Sequence, residues 1–356
     1  LPQQDNQRNN GISVIGRKSG LRRTISMTIQ HHTHPKSLFP CFLREEGFPY
    51  QPILSDEDMK TIKTGEPSFT ELIESGSVYV DKTAYINKLL KMGQSFYFLS
   101  RPRRYGKSLF CSTLHALFDG RKELFKGLYI AEKTDLPFTP FPVLHFDFSG
   151  MDTDTRRNFI ACFRKSIAKE AMRNGIDIPE STPSSMLLDL IDALYEKRGK
   201  AVIIIDEFDA PVTDALGEEN GMPGYIRKAF STFYANIKKS SGKIRFLFIT
   251  GVTKLSNMSI FSKMNNLLDI SMDKAFADAF GYTEPELMEY FGEGMDEHME
   301  ANPGKYSSRD EFVSRIREYY DGYRFSRDSE VTVYNPVSIG RFFNSGCRFD
   351  NYWEQT

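Results

Sequence analysis

Gly106-Lys107-Ser108 closes the run Arg101-Pro102-Arg103-Arg104-Tyr105, between a segment of strand composition, Ser95 to Ser100, and an apolar-periodic segment carrying Leu109, Phe110, Leu114, Leu117 and Phe118. A strand-to-helix junction is where a chain can receive phosphate, because the first amides of a helix have no internal acceptor and carry partial positive charge. Gly106 would let the backbone approach the phosphates, Lys107 would reach the terminal ones, and the Ser108 hydroxyl suits Mg²⁺. The candidate nucleotide-binding stretch is therefore Arg103, Arg104, Tyr105, Gly106, Lys107, Ser108 and Leu109. Arg101 breaks the generic G-x-x-x-x-G-K-[ST] pattern by standing where its first Gly belongs, and the tripeptide alone reads more readily as an exposed basic turn before a helix. Arg101, Arg103 and Arg104 would offset phosphate charge through guanidinium pairing, or form a solvated loop or a dock for an acidic partner.

About 100 residues later, Ile203-Ile204-Ile205-Asp206-Glu207 is an apolar run ending in two acids. Asp206 would hold Mg²⁺ through its water shell and Glu207 would polarise an attacking water, although a buried strand ending in solvated carboxylates has the same pattern. Thr250, at the end of the next apolar run, is a third catalytic candidate for sensing the γ-phosphate or the water, with Thr253 and Lys254 as rivals. Asp209 either orients the loop after the acids or caps a helix. Together these residues predict a nucleoside triphosphate site: Lys107, Glu207 and Thr250 catalytic, Ser108 and Asp206 for the metal, with a nucleoside triphosphate and Mg²⁺ as ligands.

Such a site needs strands that deliver both motifs to one edge. Strands are expected at Val78–Val80, Ser95–Ser100, Val143–Phe148, Ala201–Asp206 and Ile244–Ile249, alternating with helices over about 153–174, 185–198 and 224–239. That alternation predicts an α/β fold with a mainly parallel sheet, and the unbroken Ala-Val-Ile-Ile-Ile run predicts a strand covered on both faces. Capping boxes at Ser68-Phe69-Thr70-Glu71 and Thr283-Glu284-Pro285-Glu286 open helices, Thr83 is the expected cap of another, and after Gly281 the chain reads as helical, with a further helix over 309–320.

With 40% hydrophobic residues, 46 Lys+Arg and 47 Asp+Glu, the 356-residue chain has globular composition and a net charge of −1, which gives no whole-protein pull toward nucleic acid. Four scattered cysteines, Cys41, Cys111, Cys162 and Cys347, form no zinc pattern and read as reduced thiols. No apolar run approaches the roughly 20 residues needed to span a bilayer, and the cytoplasm is the expected location. Residues 1–50 read as a disordered basic segment and linker, with six basic residues against Asp5 in the first 40; His31, His32 and His34 there read as solvated rather than ligating. The chain opens on Leu1, and Met27 starts the stretch leading to globular sequence, so residues 1–26 read as a fragment or an upstream extension.

The sequence resembles the AAA-ATPase-like proteins often fused to a C-terminal PD-(D/E)XK nuclease-like domain. The resemblance runs from about residue 55 and rests on Val80-Asp81-Lys82-Thr83, the RPRRYGKS loop, Ile205 to Pro211, and Thr250-Gly251-Val252-Thr253-Lys254. It continues through Phe261-Ser262 with Asn265-Asn266-Leu267, Gly281-Tyr282-Thr283, Tyr320-Asp321-Gly322-Tyr323 with Phe325, and Tyr334-Asn335-Pro336. That family carries Arg where the generic loop has its first Gly. The resemblance implies a P-loop NTPase of AAA type: a five-stranded core over 51–281, then a helical lid over 282–356 that stops where the nuclease-like domain would begin. It also implies ATP as the nucleotide and the site roles given above. Nuclease activity is not transferred, nucleic acid enters only by family association, and an oligomer or a protein partner is compatible with it. The functional expectation is a Mg²⁺-dependent ATPase coupling nucleotide state to a partner or appended domain, the alternative being a non-hydrolysing nucleotide switch.

Overall fold

Strands β1 (Phe96–Ser100), β2 (Val143–Asp147), β3 (Ala201–Asp206), β4 (Ile244–Gly251) and β5 (Leu268–Asp269) build one parallel sheet in the order β2-β3-β4-β1-β5. The structure is a computed structural model and describes residues 61–217, 221–254 and 264–353. The expected basic N-terminal segment, its histidines, Cys41 and the Phe261-Ser262 motif lie outside the described residues.

Side chains alternate across a strand, so an unbroken apolar run feeds two cores at once. In β3, Ala201, Ile203 and Ile205 face one core, and Val202 and Ile204 the other. The first core is closed by α5 (Arg156–Arg173), α6 (Pro183–Arg198) and α8 (Met222–Lys239). The second is closed by α1 (Phe69–Glu74), α2 (Thr83–Lys91), α3 (Lys107–Phe118) and the short α4 (Tyr129–Glu132). Because β4 lies between β1 and β3, the strand preceding the basic loop and the strand ending in acids both flank it, and all three end at one edge. Leu99 pairs with Thr250, Ser100 with Gly251, and Ile205 with Ile249. In parallel α/β sheets that carboxyl edge is where ligands bind.

Two local expectations are corrected. Val78–Val80 is extended but joins no strand of the sheet, because its buried residues divide between different cores: Tyr79 packs in the second and Val80 against the C-terminal helices. Thr83 does not cap α2. Lys82 holds the cap position, Asp81 accepts the Thr83 amide at 2.8 Å and the Tyr129 amide at 2.6 Å, and the Thr83 hydroxyl accepts from the Ile130 amide at 3.0 Å. Strand β5, two exposed residues long, has too little apolar pattern to be read from sequence.

Beyond Gly281, α9 (Glu284–Ala301), α10 (Arg309–Tyr320) and α11 (Pro336–Asn344) gather around a third core that includes Leu287, Phe291, Phe312, Ile316 and Phe342. Both halves of the capping box at Thr283 and Glu286 are present. Gly281 has φ 84, and a Cβ there would come within 2.9 Å of the Tyr334 carbonyl and Val333, so only glycine admits the Tyr282–Tyr334 bridge that follows. No helix among the described residues is long and apolar enough to cross a membrane.

Candidate functional site

The loop between β1 and α3 turns into its helix through Gly106, which caps α3 at φ 84 with no side-chain cap bond. A left-handed cap of this kind strongly favours glycine, and it leaves the helix start uncovered by any side chain. The amides of Lys107, Ser108 and Leu109 find no acceptor among the described residues. Lys107 is buried, and its Nζ curls back to the Pro102 carbonyl at 3.1 Å. Burial lowers its pKa while the nearby carboxylates of Asp206, Glu207 and Asp209 act to raise it.

Ser108, at the start of α3, lies near enough to Asp206, at the end of β3, for its hydroxyl to lower the carboxylate's pKa. Asp206 is 3% exposed and also accepts the Glu207 amide at 2.9 Å. Desolvation raises its pKa to about 6, opposed by the nearby Ser108 hydroxyl and by Lys107. Glu207 adopts φ 48, a left-handed conformation unusual for a residue with a side chain and a common mark of functional sites. Its pKa is also raised, chiefly by burial, with Lys107 and Arg103 pulling the other way. Thr250 is fully buried at the end of β4; its carbonyl accepts the Phe208 amide at 3.1 Å, and its hydroxyl has no partner among the described residues.

A cavity of about 220 Å³ adjoins the loop. Arg104, Tyr105, Gly106, Lys107, Ser108, Leu109 and Glu207 line it together with the 62–67 segment, Tyr79, Phe280, Gly281 and Val337. Its surface thus combines a polar side from the loop with apolar walls, the usual make-up of a small-molecule pocket.

The arginines divide by role. Arg101 is 2% exposed, and its guanidinium donates to the carbonyls of Ser100 at 2.9 Å, Ser271 at 2.6 Å and Phe276 at 2.9 Å, beneath the Phe325 ring at 4.3 Å. Burial lowers its pKa to about 10. The expectation that Arg101 offsets phosphate charge is corrected: it pins the base of the loop to the segment after β5. Arg104, at φ 69, donates to the Trp353 carbonyl at 3.0 Å, and its own carbonyl accepts from Asn335 at 3.4 Å. Tyr105 packs against Tyr323 and Phe325 with centroids 5.2 and 5.1 Å apart. Arg103 alone of the three is exposed, within electrostatic reach of Glu207.

Sequence reasoning missed Asp147. It ends β2 in register with Asp206, and its charge raises the pKa of both Asp206 and Glu207. The strand Val143–Phe148 was legible, but that its acid lies beside Asp206 depends on sheet order. Asp209 makes no helix-cap bond; its carboxylate instead accepts from the Val252 and Thr253 amides and the Thr253 hydroxyl.

A parallel α/β sheet with a glycine-turned loop and an acid-ended strand at one edge defines a nucleotide-binding protein class. The chain belongs to the AAA-ATPase-like family, whose description reads "Predicted AAA-ATPase" and whose match covers residues 63–261. It is also similar to the "Uncharacterized protein in vnfD 5'region" of Azotobacter chroococcum mcd 1, with 32% identity over 299 residues, covering 83% of this chain. The chain spans about half, 54%, of that relative's length.

Proposed function

We propose that the chain is a Mg²⁺-dependent ATPase that couples nucleotide state to a conformational change in a partner or appended domain. The observation that carries this reading is the convergence of Lys107 and Ser108, at the start of α3, with Asp206 and Glu207, at the end of β3. Family membership supports ATP as the nucleotide.

The free amides of Lys107, Ser108 and Leu109 bind phosphate oxygens, and Lys107 exchanges its Pro102 carbonyl for the terminal phosphates. Two hard oxygen donors, the Ser108 hydroxyl and the Asp206 carboxylate, fit Mg²⁺ and would hold it. Held there, Mg²⁺ would neutralise charge on the phosphates. Glu207 accepts the proton of the attacking water as the water oxygen bonds the γ-phosphorus, and the bridging oxygen leaves with ADP. Thr250 offers a hydroxyl at the neighbouring strand end, and Arg103 adds positive charge at the loop surface.

Arg104 ties the same loop to Trp353 and Asn335, which favours a second reading in which binding alone resets the C-terminal helices without hydrolysis. Equilibrium binding of ATP with and without Mg²⁺ tests the common part of both readings. Wild-type protein should bind, and Lys107→Ala should weaken binding at least tenfold; equal binding by both proteins would remove the loop assignment.

A further inference from the structure

We infer that Asp209 is a positioning residue for hydrolysis: it sets the Glu207 turn and the Thr250 strand end relative to one another. This inference rests on the ATPase reading above.

Asp209 is 3% exposed and sits two residues after Glu207, at the start of α7 (Ala210–Asp214). A carboxylate at a helix start ordinarily accepts that helix's own amides. This one makes no such bond and crosses to the exit of β4, accepting from the Val252 amide at 3.1 Å, the Thr253 amide at 2.6 Å and the Thr253 hydroxyl. Phe208 fastens the same junction, its amide donating to the Thr250 carbonyl at 3.1 Å. The fit leaves no spare volume: a Cβ on Gly251 would collide with Asp209 Oδ1 and the Phe208 ring.

The turn and the strand end so joined bear the candidate base and the buried Thr250 hydroxyl. Glu207 lies in the left-handed region at φ 48, a conformation that persists only where its surroundings hold it. On one side its amide is held by Asp206, and on the other its carbonyl accepts the Ala210 amide at 3.0 Å. Asp209 lies between these anchors and ties them to β4, so releasing its carboxylate frees the base to drift without touching the phosphate amides at the start of α3. An ångström of misplacement can cost about 10²-fold in rate, whereas phosphate binding depends on a different element. Neither Asp209 nor Thr253 lines the cavity beside the loop.

The test is single-turnover ATP hydrolysis at saturating Mg²⁺-ATP, with the nucleotide Kd measured in parallel, on the full chain. Asp209→Asn should reduce the turnover rate by about 10²-fold with Kd within threefold of wild type. Thr253→Val removes only the hydroxyl donor and should reduce the rate several-fold, whereas Thr253→Ser, which retains it, should recover the wild-type rate. Should Asp209→Asn fail to fold, the Thr253 pair carries the test alone. Wild-type hydrolysis that is lost in Glu207→Gln yet retained in Asp209→Asn and Thr253→Val overturns the Asp209 role and leaves the ATPase reading standing. Loss of binding in parallel with rate also overturns it, in favour of a merely structural clamp. A wild-type chain that binds ATP but never hydrolyses it removes the ATPase reading and the positioning role together.

Discussion

Lys82 Nζ lies 2.6 Å from both carboxylate oxygens of Glu286, a pair separated by 204 residues of chain that fastens the start of α2 to the first turn of α9. The lysine also donates to the Asp278 carbonyl at 2.8 Å, and the glutamate simultaneously accepts the Thr283 amide at 2.8 Å. Burial lowers the Lys82 pKa, with Glu286 as the main opposing influence. Breaking a buried pair leaves an uncompensated charge and costs about 3–5 kcal/mol. Lys82→Met and Glu286→Gln should each destabilise the chain by roughly 3 kcal/mol, and the double variant by clearly less than the sum. Additive losses in denaturant unfolding would show that the two side chains act independently.

Arg101 supplies a second test, because restoring the generic motif should harm the protein. Arg101→Gly recreates the first glycine of the usual phosphate loop but removes the guanidinium that the carbonyls of Ser100, Ser271 and Phe276 accept from, leaving Phe276 only the Ala279 amide. At about 1–3 kcal/mol for a buried unsatisfied group, a loss of at least about 2 kcal/mol is expected, with weaker nucleotide binding. Tighter binding by Arg101→Gly would return Arg101 to the role of a degenerate motif position.

Local signals in the sequence suffice for most elements of the sheet and little of what holds the site. Ala201–Asp206 is apolar on both faces and so is legible as a central strand, and Thr283 with Glu286 encodes its helix start within four residues. The role of Arg101 was not legible, and for Asp209 loop orientation and helix capping stood level, since their partners lie at Ser271 to Phe276 and at Val252 to Thr253, brought close only by sheet order. Composition marks Arg101 as a surface cation; burial among three carbonyls and an aromatic ring is a tertiary outcome. Asp147 was hidden for the same reason, its register with Asp206 being set by the pairing of β2 with β3.

Gly251→Ala adds one methyl where Asp209 and Phe208 already fill the space. Overpacking of this kind costs roughly 1–3 kcal/mol. The thermal midpoint should fall by several degrees, and an unchanged midpoint would mean that the junction between β3 and β4 is looser than its contacts.

His145, on β2, has Nδ1 3.2 Å from His115 Nδ1, and its amide donates to Glu170 at 3.0 Å. Burial, then the neighbouring His115 and the cations Arg173 and Lys169, depress its pKa from 6.5 to about 3. A depressed pKa means the unfolded chain takes up the proton first, so the stability contributed above pH 6.5 is lost as pH falls toward 3. Glu170, whose pKa burial raises, acts in the opposite direction, so comparison with His145→Gln isolates the histidine. Between pH 7 and pH 5.5 the stability difference between wild type and His145→Gln should move by about 1 kcal/mol against the wild type. A pH-independent difference would show that His145 titrates normally in the fold.

Release of γ-phosphate in a single turnover by wild type and Glu207→Gln bears most directly on the proposed ATPase. A positioned base contributes about 10²–10⁴-fold, so Glu207→Gln should bind Mg²⁺-ATP nearly as well as wild type while its turnover falls by at least about 10²-fold. Equal turnover in the two proteins would contradict the assignment of Glu207 as the base, and absence of turnover in both, with binding intact, would contradict hydrolysis itself.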